Sequence, residues 1–175
     1  MIGSELRVIG VDPGINHTGY GIISKVTNKV TCLSKGSISS SVKLDFPLRL
    51  QKIYQSLGDI IKLWYPDIMA IEETIYAQNM KTALKLGQAR GVVLLAGANF
   101  GLDIYEYSPK KIKSSVTGNG SATKEQVRFM ITRILNLEKA PLSLDASDAL
   151  AAALCHLNQN RILILKNAEK YNKVY

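Results

Sequence analysis

The sequence predicts an α/β fold in which a mixed five-stranded sheet is flanked by helices on both faces. Two observations predict this class: five short apolar segments have strand composition, and segments with helical periodicity separate the later ones. The predicted order is three strands, then a helix, a strand, a helix, a strand and three further helices. Tight turns favour antiparallel pairing and helical crossovers favour parallel pairing, so this order requires a mixed sheet.

The first three strands form an antiparallel meander. Arg7–Val11 is a buried apolar strand, and Tyr20–Val26 and Lys29–Ser39 follow it. A tight turn at Thr27 and Asn28 joins the second strand to the third. The chain therefore begins with one half of a sheet and contains no internal repeat.

The first helix and the fourth strand come next. Asp45 and Pro47 are typical of a helix start, and Pro66 ends a segment whose apolar residues fall on one face. Ile68–Glu72 is a short apolar strand.

The second predicted helix spans residues 79 to 99. Ala83, Gly87 and Gly91 recur within it at four-residue spacing, so that small residues line one face. Such a face allows another backbone to approach closely. We therefore expect this helix to be central and packed on two sides.

The last part of the chain contains one strand and three helices. Asp103–Tyr107 is the fifth strand, and Ser108–Val116 is a short basic helix. Thr123 and Gln126 match a capping box that opens the next helix. The last predicted helix runs from Leu144 to about residue 156.

Length and composition predict one domain with no membrane segment. The 175 residues are 46% hydrophobic and 21% charged, as in ordinary soluble proteins. We expect one folded domain over residues 1–157, followed by a basic tail over residues 158–175 that is partly ordered at best. No apolar stretch is long enough to cross a bilayer and no signal peptide is recognisable, so a cytoplasmic protein is expected.

The charge of the chain favours a polyanionic partner. The formal net charge is +8, and residues 107 to 124 contain four lysines and no acid. Nucleic acid is the most common partner of such surfaces, although many basic proteins bind none specifically.

Four carboxylates stand at the edges of apolar elements, where a carboxylate is costly without a compensating cation. Asp12 ends the first strand, Glu72 ends the fourth, and Asp145 and Asp148 share one face of the last helix. No lysine or arginine lies at pairing distance from these acids within their own segments. If the segments converge, an all-oxygen set of ligands results, which suits Mg²⁺ or Mn²⁺ better than Zn²⁺.

Each acid also has an ordinary structural interpretation. Asp145 could cap the helix while Asp148 favours its N-terminal dipole, Asp12 could belong to an Asp-Pro-Gly turn, and Glu72 could face solvent. We consider one shared site more economical than these separate explanations holding together. Such a site could support two-metal hydrolysis of a phosphodiester.

Several residues are candidates for contacts with a nucleic acid. Lys113 and Lys124 could contact phosphates, and Tyr76 could stack on a base. The alternatives are solvated lysines and a tyrosine that packs in its loop. Lys110 and Arg90 complete the set of predicted DNA contacts.

The chain resembles the RuvC family of bacterial Holliday junction resolvases. The resemblance covers roughly the first nine-tenths of the chain, and its motifs occur in the family's order. These motifs are Ile9-Gly-Val-Asp-Pro-Gly14 with Thr18-Gly-Tyr-Gly21, Ala70-Ile-Glu72, Ala83-Leu-Lys-Leu-Gly-Gln-Ala-Arg-Gly91, Gly118-x-Gly-Ser-Ala-x-Lys124 and Asp145-Ala-Ser-Asp-Ala-Leu-Ala151.

This resemblance implies a ribonuclease H-like fold, a homodimer and Mg²⁺-dependent nicking of two opposed strands at a four-way DNA junction. The implied site holds two Mg²⁺ ions, which Mn²⁺ could replace. The family's catalytic and metal-binding acids fall on Asp12, Glu72, Asp145 and Asp148, and its basic residues near the DNA on Lys113 and Lys124. The implied partners are the branch-migration proteins RuvA and RuvB.

One departure and two rival interpretations remain. Many family members have an aromatic residue where this chain has Ile75, with Tyr76 next to it. The early glycine-rich motifs also resemble the phosphate loop of actin-like ATPases, but the chain is too short for the two domains that those proteins need. The second rival is a junction-binding protein that uses the same fold without cutting DNA.

Overall fold

The fold is a five-stranded mixed sheet between two layers of helices. This computed structural model describes residues 5–73, 79–138 and 141–171, with residues 160–171 as backbone only. The elements in chain order are β1 (Leu6–Asp12), β2 (His17–Val26), β3 (Lys29–Ser39), α1 (Phe46–Trp64), β4 (Ile68–Glu72), α2 (Met80–Asn99), β5 (Asp103–Tyr107), α3 (Pro109–Thr117), α4 (Lys124–Ile134) and α5 (Leu144–Tyr171). Every predicted element is present.

The sheet has the order β3-β2-β1-β4-β5. The first three strands pair antiparallel, whereas β4 pairs parallel to β1 and β5 pairs parallel to β4. Helical crossovers separate the parallel strands, as the spacing of the sequence requires. The predicted mixed sheet is thereby confirmed.

Alternating side chains of the strands form two separate cores. On β1, Val8 belongs to a core shared with α3, α4 and α5, whereas Ile9 and Val11 belong to the core under α1 and α2. This alternation follows from the two-residue period of a strand. Because both faces are covered, β1 and β4 are apolar throughout and polar residues appear only at their ends.

Helix α5 lies against the sheet at backbone distance. A Cβ atom on Gly10 would lie 1.8 Å from the carbonyl oxygen of Ala149, and one on Gly19 would lie 2.1 Å from that of Asp145. Any side chain larger than hydrogen at these two positions would push the helix away. The alanine-rich sequence of α5 provides the matching small surface, with Ala149 and Ala153 fully buried.

Helix α2 does not have the central position that its small residues predicted. It buries Ala89, Val93, Ala96 and Gly97 on one side only. Apart from the adjoining backbone of α2 itself, no atom of the described residues lies within 4 Å of a Cβ built on Gly87 or Gly91. Within the described part of the chain, the expectation that this helix is central and packed on two sides is therefore wrong.

The backbone of α5 continues as a helix to Tyr171, beyond the predicted end near residue 156. The division into a domain over residues 1–157 and a tail over residues 158–175 remains a prediction. Among the described residues, no helix combines the length and the apolar character needed to cross a membrane.

The contact between α5 and the sheet gives the first testable prediction. Gly10→Ala should lower the free energy of unfolding by at least about 2 kcal/mol, because the new methyl group meets rigid backbone. Chemical denaturation would measure the change. Gly58→Ala is the matched control: its methyl group would meet only the edge of the Phe100 ring at 3.0 Å, so we expect a change within about 1 kcal/mol. Equal losses in the two variants would contradict the proposed backbone contact.

Candidate metal centre

Two acids meet at one edge of the sheet because they end neighbouring parallel strands. Asp12 is the last residue of β1 and Glu72 is the last residue of β4. The register pairs Val11 with Ile71, so the two acids lie side by side. Each is half-buried, at the point where the apolar strand reaches the surface.

Helix α5 brings a third acid to the same place. Oxygen atoms of Asp12, Glu72 and Asp148 all lie within 4.8 Å of one another. Asp148 is only 9% exposed. The close approach of α5 to Gly10 and Gly19 is what allows its first turns to reach the end of β1. The structure therefore brings together three of the four acids singled out in the sequence.

Asp145 is near this cluster but has a different contact. Its Oδ2 accepts a hydrogen bond of 3.3 Å from the Ser37 hydroxyl of β3, and its charge also acts on Asp12. Asp145 is not the capping residue of α5, because the backbone N–H of Ala146 donates to the Ser143 hydroxyl instead. Its assignment as a fourth metal ligand remains a prediction.

The acids repel one another and are short of compensating charge. Burial raises the pKa of Asp12 to about 7, with further increases from the charges of Glu72, Asp148 and Asp145. Burial likewise raises the pKa of Glu72 to about 7, together with the charge of Asp148. A group of carboxylates with raised pKa values is one that a cation would stabilise. The oxygen-only donors fit a hard divalent cation such as Mg²⁺ or Mn²⁺.

Lys124 provides the one ion pair to this cluster among the described residues. Its Nζ lies 2.6 Å from Oδ2 of Asp148. The residue is the first of α4, and a capping box between Thr123 and Gln126 fixes the helix start on which it stands. The hydrogen bond to Asp148 raises the pKa of Lys124. The predicted capping box therefore fixes the start of the helix that carries the lysine paired with Asp148.

The other residues predicted to contact DNA differ in their distance from the carboxylate cluster and in their partners. The Lys113 charge lowers the pKa of Glu72, so this lysine faces the carboxylate edge. Lys110 packs near Gly120 in the loop before α4. Arg90 forms an ion pair with Glu106 of β5, which reduces the charge it can offer to a phosphate. Tyr76, like Ile75, lies outside the described residues.

One buried cation of α1 has no counterpart in the sequence predictions. Arg49 is 8% exposed and donates to the Ile15 carbonyl oxygen at 2.9 Å, to Oδ1 of Asn16 at 2.5 Å and to the Ser40 hydroxyl at 3.2 Å. It thereby fixes the loop that follows Asp12. The sequence did contain a signal, because Arg49 interrupts the apolar pattern of α1. A buried arginine at such a position needs hydrogen-bond acceptors nearby.

Comparisons with known proteins agree with this geometry. The family model described as "Crossover junction endodeoxyribonuclease RuvC" matches residues 8–156. A relative from Caldanaerobacter subterraneus subsp. tengcongensis bears that name and is 43% identical over 158 residues, which cover 90% of this chain and 96% of the relative.

Solved structures give the same result. T. thermophilus RuvC in complex with a Holliday junction substrate superposes with a TM-score of 0.83 at 33% identity, covering 90% of this chain and 96% of that chain. The yeast mitochondrial Holliday junction resolvase superposes with a TM-score of 0.71 at 16% identity, covering 98% and 88%, and supports the fold alone. The fold is the ribonuclease H-like fold of these resolvases, and the chain belongs to the RuvC family of crossover junction endodeoxyribonucleases.

Proposed function

We propose that this protein is a metal-dependent endonuclease that resolves four-way DNA junctions by paired nicks on two opposed strands. The observation that supports it most directly is the cluster of Asp12, Glu72 and Asp148 in a chain of this family. The cluster stands beside lysines of α3 and α4, as expected of a site that attracts a phosphate backbone.

The proposed ligands are the three clustered acids, with Asp145 as a fourth. Bound Mg²⁺, or Mn²⁺ in its place, would activate the attacking water and stabilise the leaving oxygen, with two ions in each site. Asp12 and Glu72 hold their carboxylates on strand ends and Asp148 holds its own on a buried helix, so the ligands are positioned before any substrate arrives. No side-chain nucleophile is required.

Lysines of α3 and α4 would hold the DNA backbone over this edge. Lys113 and Lys124 act electrostatically on the carboxylate cluster, and Lys110 lies on the same short helix as Lys113. A phosphate placed beside the acids would therefore meet positive charge on its outer side. The pairing of Arg90 with Glu106 makes Arg90 a weaker candidate than these lysines.

A second copy of this chain is the proposed occupant of the exposed face of α2. This face, called here the α2 face, consists of Met80, Leu84, Gly87, Gly91 and Leu95. Met80 is 76% exposed, Leu84 62% and Leu95 53%, and the two glycines between them would allow close approach. A two-fold dimer would give two active sites for the two opposed strands of a junction.

We further propose that the protein acts in the cytoplasm in recombination and repair, together with the branch-migration proteins RuvA and RuvB. Its net charge of +8 suits binding to DNA. These assignments rest on family membership.

Replacing Asp12 tests the catalytic proposal. Asp12→Asn should abolish cleavage of a synthetic four-way junction in Mg²⁺ while the protein still binds the junction, because the change removes a metal-binding charge and little volume. Gel assays with a junction and a matching linear duplex, with and without EDTA, would measure both properties. Asp59→Asn, which replaces an exposed acid of α1, is the control and should cut normally. A wild-type protein that binds junctions without cutting them in Mg²⁺ or Mn²⁺ would favour the architectural alternative.

The pKa values of about 7 at Asp12 and Glu72 predict a pH dependence of the metal-free protein. Between roughly pH 4 and pH 7 the folded state holds more protons than the unfolded state, in which carboxyl pKa values are about 4. The free energy of unfolding in EDTA should therefore fall as pH rises from 5 to 8. Asp12→Asn should reduce this fall by on the order of 2 kcal/mol.

Denaturation series at several pH values would measure that effect. Affinity for Mg²⁺ should increase over the same range, because binding displaces protons from these carboxyl groups. An identical pH dependence in wild type and in Asp12→Asn would contradict the raised pKa of Asp12.

A charge placed on the α2 face tests the dimer. Leu84→Glu should convert the protein from a dimer to a monomer of 19.2 kDa, because two buried glutamates would face each other across the two-fold axis. Light scattering after size-exclusion chromatography would measure the mass. Leu63→Glu, at a leucine of α1 that is 69% exposed, is the control and should remain dimeric. A monomeric wild-type protein would rule out this interface.

A further inference from the structure

We propose that Lys124 is an internal cation of the metal centre that competes with the divalent ion for Asp148 and swings outward when the ion binds. This inference rests on the proposed metal-binding role of Asp148. It assigns to Lys124 a function in metal loading that is separate from contact with DNA.

The first argument is the position of the ammonium group. Its Nζ is 2.6 Å from Oδ2 of Asp148, the least exposed of the three clustered acids. The other two acids raise the pKa of Lys124 through their charges, so the ammonium group lies within the field of the whole cluster. The ammonium group of Lys124 and a divalent cation would both bind Oδ2 of Asp148, and they cannot occupy the same position beside it.

The second argument is the contrast in burial between the two partners. The side chain of Lys124 is 61% exposed, whereas that of Asp148 is 11% exposed. The carboxylate is fixed on a buried turn of α5, but the lysine can leave without disturbing the core. The ammonium group can therefore move away from Asp148 by rotation of the lysine side chain alone. The start of α4, which the capping box fixes, stays in place.

The Lys124–Asp148 ion pair has opposite effects on the metal-free protein and on metal binding. While Lys124 occupies Asp148 it compensates a buried charge, and this stabilises the metal-free protein. The same contact lowers the apparent affinity for the metal, since the ion binds only the fraction of molecules in which Asp148 is free. Once displaced, the ammonium group is available to a phosphate at the edge of the site.

Lys124→Gln distinguishes this competition from simple participation in DNA binding, because all measurements are made without DNA. In titration calorimetry with Mn²⁺ alone, the variant should bind the ion about tenfold more tightly than wild type. In EDTA its melting temperature should be lower than that of wild type, and saturating Mn²⁺ should reduce the difference. In a protein that already carries Asp148→Asn, adding Lys124→Gln should change neither the Mn²⁺ affinity nor the melting temperature.

Lys113→Gln is the matched control, since it removes an equal charge that acts on Glu72 without an ion pair to Asp148 in the described part of the chain. A similar gain of affinity in this control would show a general electrostatic effect and would overturn the displacement. Weaker or unchanged Mn²⁺ binding by Lys124→Gln, with normal binding by wild type, would overturn the inference and leave the metal site intact. No saturable binding by either protein would overturn the metal site and the inference together.

Discussion

The contact of α5 with the glycine backbone of β1 and β2 is the constraint on which the rest of the structure depends. Gly10 and Gly19 leave room for the carbonyl oxygens of Ala149 and Asp145, and no other residue type could do so. This approach closes one of the two cores. It also sets the height of the first turns of α5 above the sheet, and thereby the position of Asp148 beside the strand ends. The two glycine contacts therefore determine both the packing of α5 and the position of its carboxylate in the site.

The site combines acids held on buried elements with an exposed lysine. Asp12, Glu72 and Asp148 belong to buried elements, and their mutual repulsion is relieved only in part by Lys124. Burial in a low-dielectric environment makes that repulsion strong, which is why the pKa values of Asp12 and Glu72 rise to about 7. The fold keeps this unfavourable charge because the two cores on either side of the sheet hold its acids in place. A site of this kind gains stability when a cation arrives.

The sequence by itself determined the elements and their chemistry. Strand limits at Lys29–Ser39, Ile68–Glu72 and Asp103–Tyr107 agree with the structure, since strand composition and flanking turns are local properties. The acids of the site could also be identified, because a carboxylate at the end of an apolar strand is anomalous wherever the strand lies. The motifs of the RuvC family then placed the chain in its family, which the comparisons confirmed.

Only the tertiary structure decided which surfaces meet. The small residues of α2 predicted a close neighbour, yet Gly87 and Gly91 face outward, whereas Gly10 of β1 receives the close approach. Likewise, the sequence indicated Lys124 as a basic residue near DNA, but only the structure pairs it with Asp148. Only the structure also identifies the Ile15 carbonyl oxygen as an acceptor of Arg49. A sequence pattern states that a residue is small or charged. Its partner depends on contacts between segments far apart in the chain, and these form only when the two cores close around the sheet.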